Sequence, residues 1–262
     1  MQYRQLLADR EYPKDGERAA PELYTSLAKY YDKIYSWKDY KKEAQKLKQI
    51  IHAYGRSSGN LLLDAACGTG EHVKYLRDEF QCVGIDSSDA MVAVAKSKKL
   101  GGAKFLTAGL TDFDLNLRFD VITCLFSAIG YLRTTREIRR AIHNFSRHLK
   151  PGGLLIVEPW IRKSEWKDEA IDLRTYQDRI IKIARINYST RSGDFSTHDD
   201  RYLISEKGKG TSYVRDYHEL KLFDPDEMTN VMRNEGIHAI FTDKESLAGR
   251  GLVIGLKEIR LS

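Results

Sequence analysis

Two rhythms of apolar residues divide the chain. In the first, short and nearly unbroken apolar runs alternate with stretches whose apolar residues recur every three or four positions. The runs are Leu61-Leu62-Leu63, Cys82-Val83-Gly84-Ile85, and residues 104–107, 119–126 and 153–158. Strands buried on both faces of a parallel sheet read this way. The helical stretches between them carry Val73, Leu76 and Phe80, then Met91, Val92, Val94, Ala95 and Leu100, then Ile138, Ala141, Ile142, Phe145 and Leu149. Ser87-Ser88-Asp89 and Thr134-Thr135-Arg136-Glu137 supply N-terminal caps for the last two, and Gly101-Gly102 and Lys150-Pro151-Gly152-Gly153 supply their stops. A helix over residues 41–54 precedes the first strand, with Ala44, Leu47, Ile50 and Ile51 on one face and Gly55 at its end.

The second rhythm begins after Trp160. Residues 179–188, 195–204 and 213–222 alternate apolar with polar, and Ser192-Gly193-Asp194 and Lys207-Gly208-Lys209-Gly210 make the turns between them. That is the pattern of antiparallel strands joined by hairpins. A helix from Asp224-Pro225-Asp226-Glu227 to Gly236 follows, then strands near residues 237–243 and 251–258. The expected fold class is therefore α/β: a doubly wound, seven-stranded, mostly parallel Rossmann-like sheet with an inserted antiparallel three-stranded sheet. The expected organisation is a polar N-terminal arm (1–20), an aromatic helical cap (21–56), the α/β core (57–160), the insertion (161–223) and a C-terminal completion of the core (224–262). In the cap, Tyr24, Tyr30, Tyr31, Tyr35, Trp37 and Tyr40 need a surface to cover, and either core packing or a lid over a ligand satisfies them.

Charge and cysteine content narrow the picture only a little. The net charge of +6 comes from 43 basic residues interleaved with 37 acidic ones, which suits a solvated surface and a modestly anionic substrate. Cys67, Cys82 and Cys124 have no metal-ligand spacing and read as small core residues in a reducing compartment. No metal is expected. No run approaches the ~18 apolar residues of a membrane span, and the N-terminal stretch lacks the apolar segment of a signal peptide, so the expected location is cytoplasmic.

Chemistry enters at the first strand. Leu61-Leu62-Leu63-Asp64-Ala65-Ala66-Cys67-Gly68-Thr69-Gly70-Glu71-His72 is a buried strand breaking into a glycine-rich turn, where the backbone can approach a ligand closely. The second strand ends in Asp86, the place of the ribose-hydroxyl acceptor in nucleotide-binding α/β sheets. The helix after the turn opens on backbone amides suited to a carboxylate. The first turn after Asp86, with Ser87 and Met91, would lie near an adenosine. A pyrophosphate dinucleotide site would need a third glycine where Val73 stands.

The string Asp64-x-x-Cys67-Gly68-Thr69-Gly70 resembles the first motif of class I S-adenosylmethionine (SAM) methyltransferases. Three further segments resemble one branch of them, the N,N-dimethyltransferases of nucleotide-linked deoxyaminosugars. These are Phe126-Ser127-Ala128-Ile129-Gly130-Tyr131-Leu132, Gly152-Gly153-Leu154-Leu155-Ile156-Val157-Glu158-Pro159-Trp160 and Gly249-Arg250-Gly251-Leu252. The resemblance implies SAM as cofactor, framed at its methionine end by Asp64, Ala66, Gly68 and Gly70, held at the ribose by Asp86, lined by Phe126 and covered by Tyr31. It implies Tyr24 and Tyr131 beside the acceptor amine, Arg250 on the nucleotide and Tyr40 on the substrate side. Glu158 and Trp160, at the end of the fifth strand, are further substrate-side candidates. One position departs: Gly109 stands where the family carries the carboxylate that accepts from adenine, which leaves the backbone of Gly109 and Leu110 for that contact.

In such a reaction an amine lone pair displaces the sulfonium methyl in line, and alignment supplies roughly 7–11 kcal/mol. Tyr24 and Tyr131 are accordingly expected to orient the amine, with a general base optional. Three rivals remain: an N- or O-methyltransferase of another small molecule, an RNA or DNA methyltransferase, and a SAM-binding protein without catalysis. Base methylation would call for an Asn/Asp-Pro-Pro-aromatic string where Phe126-Ser127-Ala128-Ile129 stands. An open edge of the inserted sheet is a template for pairing, so a homodimer is expected.

Overall fold

A computed structural model describes residues 20–259; the expected arm, apart from Ala20, lies outside the described residues. Seven strands form the main sheet: β1 (Leu61–Ala65), β2 (Gln81–Asp86), β3 (Ala103–Thr107), β4 (Phe119–Cys124), β5 (Leu149–Val157), β10 (Ile237–Thr242) and β11 (Leu252–Lys257), in the order β10-β11-β5-β4-β1-β2-β3. Pairing is parallel from β3 through β5 and antiparallel at β11 and β10. The chain runs outward from β1 to β3 and then returns to the other side of β1. The crevice at the carboxyl ends of β1 and β4 is where such a reversal places ligands.

Helices cover both faces because each carries one apolar stripe. On one side α2 (Tyr40–Tyr54), α3 (Glu71–Leu76) and α4 (Asp89–Ser97) bury Leu47, Ile50, Val73, Leu76 and Val92. On the other, α5 (Thr135–His148) and α6 (Pro225–Asn234) bury Ile138, Ile142, Phe145, Met228 and Met232. The start of α5 is fixed by a reciprocal cap, in which Thr134 accepts from Glu137 N and the Glu137 carboxylate accepts from Thr134 N. Phe145 is fully buried, so Phe145→Ala would cost about 3–5 kcal/mol.

The insertion forms a separate antiparallel sheet with one strand more than expected: β6 (Ala170–Gln177), β7 (Ile181–Ser192), β8 (Phe195–Glu206) and β9 (Gly210–Lys221). The added strand, β6, has no buried face. Ile171 and Leu173 point outward and are exposed, while Asp172 and Arg174 line a pocket, so its alternation carries no core signal. The cap differs in detail from a run of helix. Two 3₁₀ turns, Glu22–Tyr24 and Ala28–Tyr30, lead into a single turn, α1 (Tyr31–Ile34), and only then into α2. Leu23, Leu27, Ala28 and Ile34 join Met91 of α4 to Ile181, Ile183, Tyr202 and Ile204 of the second sheet. This third core clamps the two sheets together and leaves the tyrosines between them facing a cleft. Among the described residues no helix is long and apolar enough to cross a membrane.

Candidate active site

The glycine turn after β1 is held from the neighbouring strand. Cys67 N donates to Ile85 O at 2.8 Å, and Gly68 N donates to Asp86 Oδ2 at 2.8 Å. Ala66, Gly68 and Gly70 all adopt positive φ, at 61°, 53° and 78°. A Cβ at Gly70 would come within 2.9 Å of the Phe105 ring, and one at Gly68 within 3.3 Å of Met91 Cε. Asp86 Oδ1 accepts from Ser88 N at 2.9 Å. Burial raises the Asp86 carboxyl, and these two amides oppose that.

Asp64 is almost fully buried. Thr123 Oγ1 donates to its Oδ1 at 2.9 Å, while Oδ2 has no partner among the described residues. Ser87 is exposed. Its neighbour Ser88 does the tying, capping α4 through Met91 N and donating to the carbonyl of Tyr24. Thr69 of the glycine turn donates to Asp32 at 2.5 Å, so the cap is fastened both to this turn and to the turn after β2. Gly109 and Leu110 are half-buried after β3, and the Asp112 carboxylate lies 3.0 Å from where a Cβ on Gly109 would sit.

After β4, Phe126 and Ser127 both take left-handed backbone, at φ 51° and 62°. For residues other than glycine this is strained. It is held by Phe126 N donating to Glu158 Oε2 at 2.7 Å, Ser127 Oγ donating to Pro159 O at 2.9 Å, and Arg250 Nη1 donating to Ser127 Oγ at 2.7 Å. Glu158 is fully buried, and its other oxygen has no partner among the described residues. The Arg250 guanidinium stacks 4.6 Å from the Trp160 ring centre. Burial lowers it from the usual guanidinium range, and the Glu158 charge opposes that.

These pieces border a pocket of about 230 Å³ between the sheets. Of the residues expected from sequence, it gathers Tyr24, Tyr131, Phe126, Trp160 and Arg250. Tyr31 lies beside it, its ring 6.3 Å from Tyr24. Tyr40 borders a neighbouring cleft with Asp32, Lys38 and Glu71, edge-on to His72 at 5.0 Å. There Glu43 binds both His72, at 2.8 Å, and the buried Lys38 ammonium.

The far wall was not expected from sequence. It consists of inward-facing residues of the second sheet: Arg185, His198, Asp200 and His218. Arg185 pairs with Asp200 at 2.8 Å, and Asn187 donates to the same oxygen at 3.1 Å. His198 meets the hydroxyls of Ser189 and Ser196. Burial first, and then repulsion from Arg185, Arg250 and any proton on the neighbouring His218, push it down to about 3 and keep it neutral. The signal for this wall lies in the alternation itself. The inward face of β7 runs Ile181, Ile183, Arg185, Asn187, Ser189, and that of β8 runs Ile204, Tyr202, Asp200, His198, Ser196, so a buried face turns polar halfway along.

The two phenols are in direct contact, Tyr24 Oη to Tyr131 Oη at 2.7 Å, and burial raises both well above the usual phenol range. They sit as neutral hydroxyls in the lining of the cleft. A methyltransferase-domain family model matches residues 62–153. The chain is 34% identical, over 88% of its length and 92% of the relative's, to dTDP-4-amino-2,3,4,6-tetradeoxy-D-glucose N,N-dimethyltransferase of Saccharopolyspora spinosa. It is 30% identical, over 87% and 97%, to dTDP-3-amino-3,4,6-trideoxy-alpha-D-glucopyranose N,N-dimethyltransferase of Streptomyces venezuelae. The solved structure of SAM-bound CalS10, an amino pentose methyltransferase from Micromonospora echinaspora, superposes with a TM-score of 0.77 at 28% identity, covering 92% of this chain and 99% of that one.

Proposed function

Since the chain belongs to the class I SAM-dependent methyltransferases, in the family of the nucleotide-linked aminosugar N,N-dimethyltransferases, we propose that it methylates the amine of a nucleotide-diphosphate-linked aminosugar. The observation that carries this reading is the pocket between the sheets. Its lining includes a pair of phenols in mutual contact and a guanidinium stacked on Trp160.

The residues after β1 and β2 fit the cofactor. Asp64 offers a buried oxygen that has no protein partner, and each Asp86 oxygen accepts one amide and keeps a lone pair for a ribose hydroxyl. The glycine turn gives a cradle free of side chains. Tyr31 and Met91 cover it, Phe126 lines it, and Ser87 and the backbone of Gly109 and Leu110 face the adenosine end. When bound, SAM supplies an electrophilic methyl on a sulfonium.

The protein's own task is to hold an amine in line with that methyl and to keep water out. Tyr24 and Tyr131 hydrogen-bond the amine, and the aromatic cap excludes solvent. Arg250 holds the nucleotide end against Trp160. Glu158 acts on the pocket from beneath, through the backbone of Phe126. Tyr40 stands farther out on the substrate side.

The acceptor is a small molecule and not a nucleic acid, which suits a pocket walled by Arg185, Asp200 and the cap. The enzyme works in the cytoplasm, where three buried thiols remain reduced. It also forms a homodimer, a reading supported by the outer face of the second sheet. There Ile171, Leu173, Ile186, Tyr188, Leu203 and Tyr213 are all exposed. Light scattering at micromolar concentration should give twice the chain mass, and Ile186→Asp should halve it; a monomeric wild type removes this part of the reading.

The function is tested by calorimetric titration with S-adenosylhomocysteine, followed by thymidine diphosphate, and then by turnover of a thymidine-diphosphate aminosugar. Binding of both ligands together with methylation of the amine is expected. Binding of the homocysteine product without any nucleotide binding would leave a methyltransferase with a different acceptor.

A further inference from the structure

Behind the phenol pair stands a histidine that the proposed function leaves unused. His218 of β9 is 4% exposed, and its Nδ1 lies 2.7 Å from Tyr131 Oη. Its Nε2 is 3.0 Å from Asp216 Oδ2 and 3.6 Å from Asp200 Oδ2. The Asp216 contact is close but off the N–H axis, so it orients the ring electrostatically more than as an aligned hydrogen bond. The Asp216 carboxylate is fixed independently by Glu22 N and Leu23 N, each at 2.8 Å. Burial pushes the Asp216 carboxyl up, but contact with His218 and those two amides outweighs it and leaves the carboxyl below the usual carboxylate range.

These contacts set the direction of every hydrogen bond in the row. An ionised carboxylate only accepts, so the nitrogen that faces two of them carries the hydrogen, and the other ring nitrogen of a neutral imidazole then accepts. With the imidazole neutral, Tyr131 donates to Nδ1. Its oxygen is left to accept from Tyr24, and the outward lone pairs of Tyr24 face the pocket. A row in this order presents only acceptors to an incoming amine and has a base at its inner end.

We propose that His218 is the proton acceptor for methyl transfer, drawing the ammonium proton of the acceptor inward through Tyr24 and Tyr131. The amine N–H bond breaks and its electron pair stays on nitrogen, where it attacks the methyl. The proton joins Tyr24 Oη as the Tyr24 hydrogen passes to Tyr131 and the Tyr131 hydrogen passes to Nδ1. Both phenols end neutral, and one proton has moved from the amine to the imidazole. Neither phenol can be the resting base, since burial disfavours both phenolates. Imidazole is the side chain whose ordinary range spans neutral pH.

The groups facing the ring from all sides are consistent with this task. They are Tyr24 from the first 3₁₀ turn, Tyr131 from the 3₁₀ turn Ala128–Tyr131 after β4, Asp216 on its own strand, and Asp200 and His198 on β8, with Arg185 of β7 engaged by Asp200. His198, directly opposite in the strand register, stays neutral and adds no opposing charge. Two carboxylates thus offset the imidazolium, one of them partly committed to Arg185.

The inference rests on the aminosugar-amine reading, and its test separates the two. The kcat/KM for the amine is measured against pH in the wild type and in His218→Asn, whose amide can still accept from Tyr131 but cannot take a proton. Near neutral pH the variant should lose about 10²-fold, the lower range for a general base. It should recover as the pH rises and the amine arrives neutral, with binding of S-adenosylhomocysteine and thymidine diphosphate unchanged. A loss that does not depend on pH, or no loss, overturns the proposal. Nitrogen NMR of the wild type labelled at histidine gives a check independent of any variant: hydrogen on Nε2 and a bare Nδ1 at His218 are expected, and the opposite tautomer overturns it. A wild type with no turnover of any aminosugar removes the acceptor reading, and this inference falls with it.

Discussion

The two walls of the cleft are built from the same kind of part, the polar end of a buried strand, yet they are encoded in opposite ways. On the main sheet, Asp64, Gly68, Gly70 and Asp86 come from two loops that are each contiguous in sequence. On the second sheet, Arg185, Asp200, Asp216 and His218 come from three strands and are separated by as many as 33 positions (218 − 185). Register alone brings them together: Asn187 opposes Asp200, which opposes Asp216, and Ser189 opposes His198, which opposes His218. If the first wall holds SAM as proposed, it can change little without losing that ligand. The second can be altered position by position while the strands keep their pairing.

The sharpest test of that contrast is Asp86→Ala. Losing an ionised acceptor of hydrogen bonds, worth about 1.5–3 kcal/mol each, should weaken S-adenosylhomocysteine binding by about 10²-fold in calorimetry while thymidine diphosphate binding holds. Equal loss of both ligands would mean that the walls are not separable. Arg250→Ala should do the reverse, weakening the nucleotide by roughly 10-fold or more through one charge-assisted contact and the stacking on Trp160, with the homocysteine ligand unaffected. Since Arg250 also donates to Ser127, a fall in melting temperature without a change in nucleotide affinity would reassign it to holding the strained turn.

A smaller effect distinguishes the histidines. His198 is held near 3 in the fold against an unfolded value of about 6.5. Between those values the unfolded chain binds the proton and the folded chain does not, so His198 makes stability fall as the pH drops from 6.5 towards 3, by at most about 1.4 kcal/mol per pH unit. His198→Gln should flatten that slope in melting temperatures taken across the range; an unchanged slope would mean that other groups set it. The smallest expected change is at Asp112. If its carboxylate takes the place left by Gly109, Asp112→Ala should weaken S-adenosylhomocysteine by roughly 3-fold to 10-fold, the worth of one net hydrogen bond, and an unchanged affinity would leave adenine to the backbone.

What could be read from the sequence follows the same division. The central strands of the main sheet were readable because burial on both faces makes nearly unbroken apolar runs such as Leu61–Ala65 and Phe119–Cys124. The cap of α5 was readable because Thr134 and Glu137 form a local motif. Strand β6 was not, since its outer apolar residues are exposed and its inner ones are polar. The relay behind Tyr131 was not, because a single histidine at an inward position of an alternating strand, such as His218, looks like any half-buried polar residue until the neighbouring strands are in register. Even the strain at Phe126 and Ser127 leaves no mark in composition. It depends on Glu158, which is 32 positions away from Phe126.

Asp216 grips the amides of Glu22 and Leu23 with one side chain, where most amides of the fold are bonded within helices and sheets. Those two hydrogens can exchange with solvent only when the turn carrying Tyr24 lifts from β9. Their deuterium uptake is therefore a clock for the opening of the cap, readable in the resting protein without substrate, label or mutation.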